Sequence, residues 1–296
     1  MPAKGKRSPD EVFHLLPAAF LSRRAAFSPE GRSIMELNEV VITRAIIERY
    51  MDKLLSHLET DVAIVGGGPS GLIAGYELAK AGKKVALFER KLSIGGGIWG
   101  GGMMFNEIVI QDAAGHILEE LGIRHRRVQD HYLVCDAVET ASTLTSKAVQ
   151  AGLAVFNCVT VEDVLMREER ILGLVLNWAP VDMAGLHIDP LTMRSRYVID
   201  ATGHATEVCR VVQEKVPGGL RTQTGRIEGE RSMWSDRAES LTLENTREVF
   251  PGLLVAGMAA NATFGGPRMG PIFGGMLLSG VKAANWILER LNGEPA

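Results

Sequence analysis

The stretch from Asp61 to Lys91, "DVAIVGGGPSGLIAGYELAKAGKKVALFERK", limits the possible folds more than any other part of the chain. Four apolar residues, Val62 to Val65, run into Gly66-Gly67-Gly68-Pro69-Ser70-Gly71, which satisfies G-x-G-x-x-G. A helix-forming segment follows, then a second apolar run ending at Glu89. Strand, glycine turn, helix and strand, with an acidic residue about 20 positions past the glycines, describe a dinucleotide-binding βαβ unit. Gly66 permits the tight turn, Gly68 lets the backbone approach a pyrophosphate, and Gly71 allows close packing of helix on strand. The helix N-terminus offers free N–H groups to the phosphates. Glu89 would take ribose hydroxyls through its carboxylate, which disfavours a 2′-phosphate.

The remaining pattern extends this unit to an α/β fold with a parallel central sheet, of the Rossmann-like two-dinucleotide-binding type. An antiparallel excursion is expected between residues 156 and 198. An amphipathic helix is expected over Glu36 to Leu58, where Ile42, Ala45, Ile46, Tyr50 (or Met51) and Leu54 form one stripe. Residues 35–296 read as a single dinucleotide-binding catalytic domain. Residues 1–34, rich in Arg, Pro and Ser, read as a poorly ordered extension or as sequence ahead of a start at Met35. They lack the apolar centre of a secretory signal.

With 46% hydrophobic residues and a net charge of −3, the chain can bury a large core and has no bulk attraction for nucleic acid or acidic membranes. No apolar run reaches the roughly 18–20 residues of a spanning helix. Cys135, Cys158 and Cys209 are widely spaced, without a CxxC pair, which argues against a disulfide framework or structural zinc and for a reducing cytoplasm. Cys158 is expected on a strand and Cys209 on the helix after His204, both as small core residues.

Two further features bear on chemistry. "SIGGGIWGGGMMF" (Ser93 to Phe105) leaves backbone bare, as a loop against a ligand or a flexible lid requires. "GLHIDP" places His187 and Asp189 two apart, with His204 a little further on. If "LHID" is extended, the two side chains share a face, and imidazole plus carboxylate suits Fe(II), Mn(II) or Zn(II). Asp189 before Pro190 equally suits a turn cap, and His187 a hydrogen-bonded core residue. "VIDATG" and "GLLVAGM" resemble the late segments of FAD-binding relatives of this fold. Met258, however, stands where those proteins carry an Asp for the flavin's ribityl chain.

Taken together, "DVAIVGGGPSGL", "GGGIWGGGMMF", "NWAPVDMAGLHIDP", "DATGH" and "GGPRMGPIFGGM" resemble the thiamine thiazole synthase family from about Met35 to Leu291. The resemblance implies that NAD is consumed as a substrate, losing nicotinamide before condensation with glycine and sulfur. It implies nucleotide contacts from Ser70, Glu89, Arg90, Gly97, Val161 and Met258. Asp189 and His204 would be iron ligands supplied by neighbouring subunits. Arg268, with Met269 and Gly270 continuing the strip, would meet the glycine carboxylate. It further implies a homo-oligomer, an octamer, with a shared active site. The family's eukaryotic branch has a sulfur-donating cysteine at the position of His187. A histidine cannot give sulfur, so the expectation is a sulfide-dependent enzyme that survives turnover, with His187 a third ligand, a general acid/base or a residue outside the ligand set. The competing expectations are an FAD-dependent oxidoreductase and a non-catalytic nucleotide-binding protein.

Overall fold

A computed structural model of the chain describes residues 37–293; the expectation for residues 1–34 lies outside them. The chain divides into two units between Met51 and Asp52. Helix α1 (Glu39–Ser56) forms where the apolar spacing placed it. Asn38 Oδ1 caps it by accepting from the N–H groups of Val40 and Val41 at 3.0 and 3.2 Å. No residue of α1 is buried, and Ile42 and Ile46 are 45% and 64% exposed. The periodicity gave a helix without giving a core element.

In the second unit, β1 (Glu59–Val65), α2 (Pro69–Lys80) and β2 (Val85–Glu89) form the βαβ unit. Next come β3 (Glu107–Gln111), α3 (Gly115–Leu121), β4 (Arg126–Gln129), β5 (Tyr132–Asp136), α4 (Ala137–Gln150) and β6 (Ala154–Asn157). The excursion follows as β7 (Val159–Arg167), β8 (Arg170–Trp178) and α5 (Ala179–Met183), returning through β9 (Leu191–Asp200). The chain continues through α6 (Glu207–Lys215), α7 (Ser235–Asn245), β10 (Arg247–Phe250), β11 (Leu253–Val255), α8 (Met258–Phe264) and α9 (Gly274–Gly293).

The main sheet runs β10-β11-β9-β1-β2-β6, with every pair parallel except β10–β11. Its central strands are almost wholly buried, as near-continuous apolar runs covered on both faces must be. Ile64, Leu72, Leu87, Leu144, Ile199 and Ile287 share one core cluster. The antiparallel part is the hairpin β7–β8, with β8 also pairing the first half of β9. That long strand thus belongs to the hairpin at one end and to the parallel core at the other. A separate antiparallel sheet, β3-β5-β4, was not foreseen.

Two local expectations are corrected. Cys158 is not on a strand: it sits at the corner between β6 and β7 with φ +58° and is only partly buried. "LHID" is not extended strand either. Helix α5 stops in a Schellman arrangement, with Gly185 at φ +62° and the Gly185 and Leu186 N–H groups bonded to the Asp182 and Val181 carbonyls. Residues 185–190 then form an exposed loop, and β9 begins only after Pro190, which has no N–H to give a ladder.

Behind the sheet, Glu239 on α7 accepts a 2.7 Å hydrogen bond from the Gly275 N–H at the start of α9. Burial lifts its carboxyl to about 7 from an ordinary 4.5, and hydrogen bonds from Gly275 and Gln111 only partly offset this. The folded form therefore holds the proton more tightly. The stability so gained is complete below the unfolded value near 4.5 and is lost as pH rises through about 7. Glu239→Gln keeps the acceptor for Gly275 without the charge. Thermal melts should show little difference from the parent at pH 4.5 and a gain of about 2–4 °C at pH 8, roughly 1 kcal/mol; equal curves at both pH values would contradict the assignment.

Candidate functional site

Parallel register sets the site. Val65 pairs with both Phe88 and Asp200, so β1, β2 and β9 end at one level. The loops beyond them, with the start of α8, enclose a cavity of about 640 Å³. Ligands of such sheets bind outside the carboxyl ends of the strands.

At the first loop Gly66 has φ +99°, and a Cβ there would lie 2.4 Å from the Ala201 carbonyl oxygen. A Cβ on Gly71 would fall 2.0 Å from the Gly66 oxygen, so that position is closed to any side chain. Gly68 is the opposite case: a Cβ would meet no protein atom within 4 Å, and the same holds for Gly97. Both glycines line the cavity, leaving open the space a side chain would fill. The second glycine loop is pinned to the first by the Gly95 N–H on the Gly67 carbonyl, 2.7 Å, and its Gly96, Gly97, Gly101 and Gly102 line the same space.

Glu89, 7% exposed, accepts from the Gly67 N–H at 2.8 Å and from the Lys91 N–H at 2.9 Å, one bond to each oxygen. Each oxygen keeps a further lone pair for a hydroxyl. Arg90 is held by Glu207 of α6 at 2.6 Å. Burial raises the Glu207 carboxyl, against the lowering effect of the Arg90 charge.

The turn after β9 is organised by Asp200, which is fully buried. Its carboxylate accepts from the Thr202 N–H, the Thr202 hydroxyl and the Cys209 N–H at 3.1, 2.7 and 3.0 Å. Thr202 Oγ1 in turn accepts from the Glu207 N–H at the start of α6, 2.8 Å. This network delivers His204 to the cavity wall. His204 Nδ1 lies 2.5 Å from Glu230 Oε1, and the other oxygen of Glu230 lies 3.9 Å from Arg268 Nε.

Of the positions expected to contact a nucleotide, Gly66, Gly68, Ser70, Glu89, Arg90, Gly97, Val161 and Met258 line this one cavity. His204, Arg268, Met269 and Gly270 line it too. Gly71 sits behind the wall, packing helix on strand. His187 and Asp189 do not line it: both lie on the exposed loop after α5, whose Ile188 carbonyl accepts from buried Asn177 at 3.0 Å. Among the described residues, no three His, Cys, Asp or Glu side chains are grouped to hold a metal ion. Sequence reasoning missed Asp200, Glu207 and Glu230. Asp200 had a readable signal, a lone carboxylate ending an apolar strand; Glu230, in the polar run "RIEGERS", had none.

Fold and cavity define a Rossmann-like α/β protein with glycine-rich loops around a cavity at the carboxyl ends of its parallel strands. Residues 43–273 match the Thi4 family model, and the chain belongs to that family. It is 71% identical over 257 residues to a thiamine thiazole synthase of Desulfosudis oleivorans, across 87% of this chain and 100% of that one. A thiamine thiazole synthase of Methanothermobacter thermautotrophicus is 62% identical over 257 residues, with the same shares. Among solved structures, the Thermovibrio ammonificans THI4 crystal structure superposes with a TM-score of 0.84 at 53% identity, covering 87% of this chain and 100% of that one. No described helix is long and apolar enough to cross a membrane.

The two inner glycines should differ in what a side chain costs. Gly71→Ala should cost about 1–3 kcal/mol in urea unfolding, the usual range for overpacking. Gly68→Ala, whose Cβ would meet no protein atom within 4 Å, should stay within about 0.5 kcal/mol of the parent. Equal losses in the two variants would contradict the difference in packing.

Proposed function

We propose that this chain makes the thiazole moiety of thiamine, as the shared name of its relatives supports. The finer reading is a sulfide-dependent synthesis from NAD and glycine that needs Fe(II), releases nicotinamide and yields an ADP-linked 5-(2-hydroxyethyl)-4-methylthiazole-2-carboxylate. The observation that carries the free-sulfide reading concerns sulfur. No cysteine lines the cavity, and residue 187 is histidine. Cys135 and Cys209 are buried. Burial pushes the Cys135 thiol up to about 11 and the Cys209 thiol well above its usual range. Neither is a thiolate near neutrality, and the thiolate is the reactive form. Cys158, partly buried at the corner between β6 and β7, is not among the residues that line the cavity, so the sulfur is assigned to an external donor.

The chain's residues divide the work as follows. The open backbone at Gly68 and the N-terminus of α2 receive the pyrophosphate. Glu89 takes ribose hydroxyls, while Ser70, Arg90, Gly97, Val161 and Met258 bound the rest of the nucleotide. The Arg268 guanidinium, 61% exposed and with its Nε 3.9 Å from Glu230, would pair with the glycine carboxylate, an anion its planar fork suits. Met269 and Gly270 continue that wall.

The donors fit a divalent metal in a particular way. His204 has its Nδ1 engaged and no hydrogen bond on Nε2 among the described residues, which is the state of a ligating imidazole. One imidazole is not a site, and Asp189 is exposed on its own loop. The family resemblance implies the second ligand, Asp189 of a neighbouring protomer beside His204, in a homo-oligomer that the same resemblance makes an octamer. Bound there, Fe(II) would supply Lewis acidity and a template for sulfide. His187, beside Asp189, has no thiol to lose.

The test is anaerobic incubation with NAD, glycine, sulfide and Fe(II), followed by mass spectrometry of both products and protein. Nicotinamide and the thiazole should accumulate over several turnovers while the protein mass stays constant. Product without added sulfide, with a protein lighter by one H₂S, would restore a cysteine donor. His204→Ala should lose turnover by at least a hundredfold and keep NAD affinity; wild-type iron occupancy in that variant would contradict its role as ligand.

A further inference from the structure

We infer that Glu230 is a positioning residue for His204, fixing which imidazole nitrogen faces a metal. The inference rests on the metal reading above and adds a residue to it.

His204 stands in a single 3-10 turn, Gly203–Ala205, with 52% of its side chain exposed. Nothing in that setting alone would choose a rotamer or tautomer. Glu230 does: a carboxylate accepts only, so an imidazole nitrogen 2.5 Å from it carries the proton. With hydrogen on Nδ1, the lone pair is on Nε2. Partners of this kind orient ligating histidines and raise their basicity, and their removal typically costs about 10–100-fold in metal affinity.

Glu230 is itself held. Its side chain is 17% exposed, and its backbone neighbours are stitched to the loop that carries Arg268. The Gly229 N–H bonds the Ala262 carbonyl at 3.0 Å, the Arg231 N–H bonds Gly266 at 3.0 Å, and the Arg268 N–H bonds Arg231 at 3.1 Å. An isolated parallel bridge joins Arg231 to Pro267. The carboxylate therefore sits on a fixed backbone, and the half-exposed histidine takes its orientation from it.

The experiment is a Co(II) titration of the full-length protein, read by visible absorption, with NAD and glycine present and sulfide left out. Glu230→Ala should weaken Co(II) binding tenfold or more. Glu230→Gln, whose amide oxygen still accepts from Nδ1–H, should bind within about threefold of the parent. NAD affinity should not change in either variant. If Glu230→Ala does not fold, Glu230→Met, similar in volume and without an acceptor oxygen, carries the same expectation. Parent-like Co(II) affinity in the acceptor-free variant, with binding lost in His204→Ala, would overturn the role of Glu230 and leave the metal reading standing. Parent-like affinity in His204→Ala would overturn both.

Discussion

Val65 is the hinge of the whole arrangement because it lies level with Phe88 on one side and Asp200 on the other. Parallel pairing allows strands from distant parts of the chain to end together, and here three endings become three loops around one space. Gly66 turns out of β1 against the Ala201 carbonyl, Glu89 ends β2 and bonds back to Gly67, and Asp200 ends β9. A one-residue slip in either pairing would turn each strand's alternate side chains to the other face. It would separate Glu89 from Gly67 and aim His204 away from the cavity. The site is thus a property of register before it is a property of any residue.

The carboxylates at those endings show how burial sorts roles. Asp200 is out of water altogether and accepts three hydrogen bonds, two from Thr202 in its own turn and one from the Cys209 N–H of α6. A buried charge is tolerated only when so satisfied, and this one shapes the turn rather than meeting a ligand. Glu89 is nearly as buried but accepts only one bond per oxygen from the backbone, which keeps acceptor capacity on the cavity side. Glu207 and Glu230 each face a half-exposed side chain on the cavity wall, Arg90 and His204. The gradient runs from scaffold to cradle to orienting partner, and it follows solvent access.

Much of this was legible in the chain. The βαβ unit, its glycines and Glu89 could be read because their physics is local: each residue acts within its own turn or on the strand beside it. The antiparallel excursion between residues 156 and 198 was legible too, as strand-like runs within an otherwise alternating strand and helix order. The failures share a different cause. "LHID" looks like strand until one notices that Gly185 can stop the preceding helix in a left-handed turn, and that Pro190 denies the ladder a donor. The apolar stripe of α1 forms the helix it predicts, but spacing does not say what covers a stripe, and no residue of α1 is buried. Glu230 meets His204 across 26 residues with no spacing rule between them, and the β3-β5-β4 sheet depends on pairings that periodicity does not specify.

The exposure that misled the reading of residues 185–190 has a physical meaning on the proposed function. A carboxylate destined for a metal shared between protomers has to leave its own chain's core, so Asp189 belongs on a loop that stops pairing. The end of α5 and this loop carry Met183, Leu186 and Ile188 at 85%, 60% and 51% exposure, apolar area that a second protomer would remove from water. His204 shows the complementary state: one nitrogen engaged, the other without a partner, on the wall of a cavity. On that reading folding within the protomer would fix the imidazole through Glu230, and association would supply the acid. Division of the ligands in that way would make metal binding conditional on assembly, so that a lone chain binds nucleotide without assembling the reactive centre.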